Sequence, residues 1–121
     1  MIKADCDVFK NFIAGEWVES ITGKTYQITN PARNSIVLGS FQSSNEIDAE
    51  RAVVAADDAS TAWADTPAPS RASVLFKALE IMAKRSDEIA QSITDEEGKP
   101  LLDAKGEVRR AMNIIEYAAG E

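Results

Sequence analysis

Among the side chains in this 121-residue sequence that could do chemistry are one cysteine, Cys6, and a set of carboxylates; there is no histidine. Histidine is the commonest general base near neutral pH and the commonest metal ligand, so its absence removes the usual routes to acid–base and metal-centred catalysis. A single cysteine forms neither an intrachain disulfide nor a thiolate metal cage. As a nucleophile Cys6 would need a neighbouring base to generate its thiolate, and none stands beside it in sequence; it reads as an incidental exposed thiol.

The carboxylates fall at Asp57-Asp58, Asp95-Glu96-Glu97 and Asp103. Adjacent acids on a helix point to different sides, because only residues three or four apart share a face, so most of these read as solvated surface. Glu96 differs: it flanks a chain corner where backbone carbonyls can join a carboxylate around a cation. The corner, Gly98-Lys99-Pro100, is not a phosphate loop, since Ile93 and Pro100 stand where that loop needs a glycine and a hydroxyl residue. No Gly-x-Gly-x-x-Gly run occurs, so nothing here is expected to cradle a pyrophosphate. Arg71, near a helix start, is poorly placed for the helix dipole; either one of the acids partners it or it is plain surface. The aromatic residues are not interleaved with basic ones as a single-strand binding groove requires, and they read as core.

The elements that must position these groups are legible in the patterning. Thr22-Gly23-Lys24 predicts a hairpin turn between extended runs at 17–20 and 25–29. Asn30-Pro31 breaks the second run, and 35–41 predicts a further strand. Ser43 to Glu46 has capping-box spacing, and behind it Ala49, Ala52, Val53, Ala56, Ala59 and Trp63 recur at helical steps. After Thr66-Pro67-Ala68-Pro69, Leu75, Leu79, Met82, Ile89 and Ile93 predict one helix from about Ser70 to Glu97, ~40 Å long at 1.5 Å per residue. Gly98 suits a left-handed helix terminus and Pro100 the first turn of the next helix. There Leu101, Ala104, Val108, Ala111, Ile115 and Ala118 predict the buried stripe, with Gly106, Arg110, Asn113 and Tyr117 opposite. A chain whose last residues are still helical reads as the front part of something larger.

Composition narrows the class. An apolar share of 45% and a charged share of 27% are ordinary for a soluble globular domain. The net charge of -7 argues against nucleic-acid and anionic-membrane partners. No apolar run approaches the ~18 residues of a membrane span, and the N-terminus lacks a signal-peptide core. A cytoplasmic location is the expectation.

Taken in order, Asn11-Phe12-Ile13-Ala14-Gly15-Glu16-Trp17, Asn30-Pro31, the alanine-rich helix through Ala55-Ala56, Ala59 and Trp63, Arg71-Ala72 with Leu75, Glu88-Ile89-Ala90, Glu97-Gly98-Lys99-Pro100-Leu101, Glu107-Val108 and Tyr117-Ala118-Ala119-Gly120-Glu121 resemble the N-terminal portion of the aldehyde dehydrogenase superfamily. Within it the chain looks most like enzymes acting on semialdehydes or other small carboxylated aldehydes. The resemblance implies NAD(P)-dependent oxidation of an aldehyde to an acid. In that family a cysteine thiolate attacks the carbonyl, hydride leaves to the nicotinamide, and water activated by a glutamate cleaves the thioester. The family's nucleophile, base, oxyanion asparagine and cofactor-phosphate residues correspond to no position here; Cys6 does not match the nucleophile. Two features carry over. A monovalent cation held in some members would fall at the Ile28 and Thr29 backbone oxygens and Glu96. The helix face lining the substrate entrance would fall at Gly106, Arg110 and Asn113, where Arg110 would steer a carboxylated substrate.

The expectation is thus an α+β piece of an α/β fold, part of a Rossmann-like cofactor-binding domain: a β-hairpin region at 1–42, then three helices within 43–121. It would be inactive alone, with NAD or NADP, the aldehyde and the remaining chain belonging to a homo-oligomeric parent enzyme. The alternative is a non-enzymatic interaction or homodimerising module built from the same segment.

Overall fold

The computed structural model describes residues 7–121; Cys6 lies outside them. The elements are β1 (Val8–Phe9), β2 (Asn11–Ile13), β3 (Glu16–Val18), β4 (Thr25–Asn30), β5 (Arg33–Gln42), α1 (Glu46–Asp65), α2 (Ala68–Lys84), α3 (Ser86–Glu97) and α4 (Leu101–Gly120). They form two compact units, Met1–Ala62 and Trp63–Glu121.

In the first unit the hairpins are not where the Thr22-Gly23-Lys24 turn placed them. β2 pairs antiparallel with β3 through Ala14-Gly15, and β4 pairs antiparallel with β5 through Pro31-Ala32. The first turn works because Ala14 and Gly15 both take positive φ, 53° and 83°, the twist that suits a two-residue hairpin. In the second, Asn30 Oδ1 accepts from the amides of Ala32 (2.9 Å) and Arg33 (3.1 Å), so the side chain stands in for a backbone turn. Gly23, at φ 62°, does reverse the chain. It joins two different sheets, the β2–β3 ribbon and the three-stranded β1-β5-β4 sheet, in which β1 runs parallel to β5. Phe9 of β1 stacks on Phe41 of β5 with ring centroids 4.9 Å apart, across Gly39. A Cβ on Gly39 would lie 2.5 Å from Phe9 Cε2.

The α1 cap also sits two residues later than the Ser43–Glu46 spacing suggests. Asn45 Oδ1 accepts from the amides of Ile47 (3.1 Å) and Asp48 (3.3 Å), and Asp48 Oδ2 accepts from the Asn45 amide (3.2 Å). That is the reciprocal arrangement of a capping box, with an amide side chain in place of the hydroxyl.

In the second unit the single long helix is two, so the described residues form four helices in all, α1 to α4, rather than three. Arg85, at φ -107° and ψ 13°, ends α2 and starts α3. Charge explains the break: Lys84 closes α2 while Asp87 and Glu88 open α3, each on the favoured end of a helix dipole. Arg85 Nη2 pairs with Glu88 Oε1 at 2.5 Å across the joint.

α4 packs against both α2 and α3. Ala90 and Ala104 are fully buried, and Val108 at 4% exposure joins them, flanked by Ile89, Ile93 and Met112. The α2–α3 stripe Leu75, Leu79, Met82, Ile89 and Ile93 is half-buried as expected. On α4 the buried line drifts: Ala111 and Ala118 are exposed, and Met112 and Ala119 turn inward instead. The i, i+4 row from Ala104 through Val108 and Met112 is the one that meets α2 and α3. On α1 Ala49, Val53, Ala56, Ala59 and Trp63 are exposed and only Ala52 of the expected stripe is half-buried. No helix among the described residues is long and apolar enough to cross a membrane.

Candidate functional site

The Gly98-Lys99-Pro100 corner is built as the sequence expects at its glycine: Gly98 takes φ 81° and its amide donates to the Thr94 carbonyl at 3.0 Å. Pro100 stands one residue earlier than expected, as the residue before α4, where its carbonyl accepts from the amides of Asp103 and Ala104. Lys99 folds back between two acids, Glu97 at 3.1 Å and Glu107 at 2.5 Å. The Glu107 hydrogen bond, then that of Glu97, raises the Lys99 ammonium above its ordinary value, so it stays charged.

The neighbouring acids are then distinguishable. Asp95 accepts from Gln91 Nε2 at 3.1 Å and Glu97 is taken by Lys99. Glu96 is exposed, and no hydrogen bond or ion pair among the described residues engages it. Nearby, Thr94 Oγ1 is the buried side-chain oxygen without a hydrogen-bond partner among the described residues. Of the other two candidate cation ligands, Ile28 is half-buried and Thr29 exposed, both on β4 where the ladder with β5 slips at Ile28/Thr29 and again at Thr29/Asn30. Such irregularities release strand backbone from regular pairing. Ile28 and Thr29 belong to the first unit and Glu96 to the second. Among the described residues no group of three or more Cys, Asp or Glu is placed to hold a metal ion.

Gly106, Arg110 and Asn113 do share a face, being four and three residues apart on α4, and all are exposed on the side away from Ala104 and Val108. Tyr117 continues the face at 69% exposure, and with Asn113, Glu116, Gly120 and Glu121 it lines a shallow concavity at the helix end. No ion pair among the described residues engages Arg110. A Cβ on Gly106 would meet nothing within 4 Å, so no contact in the second unit calls for glycine in mid-helix. Arg71, by contrast, has its partner in a carbonyl rather than an acid: Nη1 donates to the Ala64 oxygen at 3.2 Å, near the end of α1.

One polar centre is missed by reading the residues alone. Asp48, 4% exposed, accepts from Ser20 Oγ (2.6 Å) and from the Ile21 amide (3.0 Å) as well as from Asn45. The Asn45-x-x-Asp48 spacing was its signal, overlooked because Ser43–Glu46 offered a closer match to the hydroxyl form of the box.

The arrangement holds no strand–glycine loop–helix cradle for a dinucleotide among the described residues. What it offers is an uncrowded helix face carrying Arg110 and, beside a chain corner, Glu96, which has no partner among the described residues. Comparison with known proteins fits that picture. The model of the aldehyde dehydrogenase family matches residues 17–121. The chain is 47% identical over 111 residues to an α-ketoglutarate semialdehyde dehydrogenase of Haloferax volcanii, covering 92% of this chain and 23% of that protein. It is 42% identical over 120 residues to a malonate-semialdehyde dehydrogenase of Bacillus pumilus, covering 99% and 24%. It superposes on an NAD-dependent aldehyde dehydrogenase from Sinorhizobium meliloti with a TM-score of 0.88 and 26% identity, over 96% of this chain and 24% of that one. The chain thus spans about a quarter of the length of the relatives it matches.

Proposed function

The chain belongs to the aldehyde dehydrogenase family, and from that premise we propose that it is the N-terminal scaffold (1–121) of a longer enzyme that oxidises a carboxylated aldehyde, a semialdehyde, to an acid with NAD or NADP. The observation that carries this reading is how little the chain buries for itself. Among the described residues Val108 is the largest buried apolar side chain, while Phe12, Trp17, Val53, Leu102, Ile114 and Tyr117 are all more than half exposed. Apolar surface on this scale is a docking surface for more polypeptide.

In the whole enzyme the nicotinamide cofactor would accept the hydride. The residues here do not fit the cofactor itself, and no step of the chemistry is assigned to them. Their part is placement. Gly106, Arg110 and Asn113 would line the substrate entrance. There Arg110, free of any ion pair in the second unit, would draw the substrate's carboxylate by charge. Gly106 supports this: glycine inside a helix costs roughly 0.5–1 kcal/mol, and something approaching that face would justify it. The slipped ladder at Ile28 and Thr29, and Glu96, which has no partner among the described residues, support proposing a monovalent-cation site in the parent. The acidic charge supports a small molecule rather than nucleic acid as the partner, a cytoplasmic location is proposed with it, and the exposed apolar faces support a homo-oligomer.

A chimera tests the proposal. Residues 1–121 replace the matching segment of the Haloferax volcanii relative, and turnover is measured with a carboxylated and an uncharged aldehyde. Retained activity is expected, with Arg110→Leu raising KM for the carboxylated aldehyde at least tenfold and leaving the uncharged one within twofold. The 121-residue chain by itself should show neither turnover nor micromolar NAD or NADP binding by calorimetry. An inactive, misfolded chimera together with a compact, self-associating 121-residue chain would favour the interaction-module alternative.

A further inference from the structure

The first unit contains two sheets that share no ladder, the β2–β3 ribbon and the β1-β5-β4 sheet. Three segments meet between them: the turn at 19–24, the end of β5, and the start of α1. At their junction lies Asp48, 4% exposed, with one oxygen accepting from Ser20 Oγ (2.6 Å) and the Asn45 amide (3.2 Å), the other from the Ile21 amide (3.0 Å). The next layer continues the same joint. The Ser20 amide donates to Gln42 Oε1 at 2.9 Å, Gln42 Nε2 donates to the Phe9 carbonyl at 3.0 Å, and Thr22 Oγ1 donates to the Ser43 carbonyl at 2.9 Å. Asn11 Nδ2 donates to Ser44 Oγ at 2.8 Å, which ties the ribbon to the same place.

The charge on Asp48 is held without an ion pair. Its three donors are neutral. Arg51, on α1 itself, is the cation whose field reaches it. The turn carries Glu19, which is occupied by Lys10 at 3.0 Å, and Lys24; the 41–45 segment carries no charge. A carboxylate serves all three donors at once. A protonated carboxyl gives one of its acceptor positions to a hydrogen; the Ile21 and Asn45 amides can only donate, so the Ser20 hydroxyl must turn from donor to acceptor, and the 2.6 Å bond it gives the carboxylate is lost in that form.

We propose that Asp48 is an acid-released latch: as a carboxylate it fastens the 19–24 turn and the start of α1 to the end of β5, and on protonation these segments separate while α2–α4 stay folded. The direction of its titration agrees. The Ser20 hydroxyl, then the Ile21 amide, lower its pKa below the ordinary aspartate value of 3.8, with smaller help from Asn45 and Arg51; burial opposes them. A carboxyl lowered on folding stabilises the fold above its unfolded pKa, and that stabilisation is lost as pH falls through the folded value. The latch therefore opens below 3.8. Glu80 and Glu88 are also lowered, by Lys84 and by Arg85, but both are exposed surface pairs of the second unit and serve as internal controls.

The test is NMR on the 121-residue chain from pH 7 to pH 2, following amide shifts and amide exchange corrected for the intrinsic pH dependence. The Ile21 and Asn45 amides should titrate together with one midpoint below 3.8 and lose at least tenfold in protection, while Ala90 and Ala104 keep theirs at that midpoint. Ser20→Ala, which removes the largest stabiliser of the charged form, should move the midpoint up by at least half a pH unit. Asp48→Asn should abolish the titration and leave 19–24 and 45–48 unprotected already at pH 7. Flat protection at Ile21 and Asn45 down to pH 2, or loss at Ala90 and Ala104 with the same midpoint, would overturn the latch. So would an Asp48→Asn chain that still titrates or stays protected. Should that variant fail to fold, the wild-type titration and the Ser20→Ala shift decide alone.

Discussion

Truncating Val108 to alanine should cost the helical unit about 2 kcal/mol. Val108 is 4% exposed and lies in the cluster with Ala90 and Ala104 where α4 meets α3. Removing two methyl groups loses about 1.6 kcal/mol at ~0.8 kcal/mol per buried carbon. The space left, on the order of 40–50 Å³, would add up to ~1 kcal/mol if it stayed empty. It will not stay wholly empty, because Val108 borders an open groove lined by Ala83, Arg109 and Met112, and the flexible Met112 can move in. The measurement is urea unfolding followed by circular dichroism at 222 nm, with amide exchange at Ala90 and Ala104 reporting the helical unit. With a slope of ~1 kcal/mol/M for so small a unit, the midpoint should fall by roughly 2 M. Val53→Ala is the control: Val53 is 68% exposed on α1, and its loss should change stability by less than about 0.5 kcal/mol. Equal shifts for the two variants, or a Val108→Ala loss below about 0.5 kcal/mol, would refute the reasoning that the α3–α4 contact is the seat of stability.

Three further outcomes are expected. Gly106→Ala should stabilise the 121-residue chain by about 0.5–1 kcal/mol, because a Cβ there meets nothing and alanine is the better helix former, yet lower turnover in the chimera; unfolding curves and kinetics read the two effects separately. Ala14→Asn should raise the melting temperature of the strand unit, relieving up to ~1 kcal/mol of left-handed strain at φ 53° in the β2–β3 turn; no change would mean that the turn is not under strain. Gly39→Ala should destabilise the β1–β5 pairing by about 1–3 kcal/mol, since its Cβ would displace the Phe9 ring from its stack on Phe41, and amide exchange at Ser40 and Phe41 would show the loss.

How far the residues speak for themselves varies by element. Gly98 as a left-handed terminus, the half-buried stripe from Leu75 to Ile93, and the outward face of Gly106, Arg110 and Asn113 follow from local chemistry and helical period, and the structure has them there. The break at Arg85 was legible too, in the run of Lys84, Arg85, Asp87 and Glu88, but a continuous apolar stripe masks it because both helices present the same side to α4. The hairpins were misplaced because Gly23, Gly15 and Pro31 all signal turns, and a turn signal does not say which strands pair across it. The drift of the α4 stripe to Met112 and Ala119 depends on the crossing of α4 with α2 and α3, which periodicity does not contain.

The sequence by itself determined where the backbone turns, the left-handed end of α3 at Gly98, the family, and the lack of histidine and of a phosphate-binding glycine run, since each follows from residue type at short range. Only the tertiary structure decided which strands share a ladder, which residues of α1 and of the end of α4 are covered, and that Asp48 is buried among donors from a turn 27 and 28 residues away. Those depend on contacts between segments remote in the chain, and no local preference encodes them.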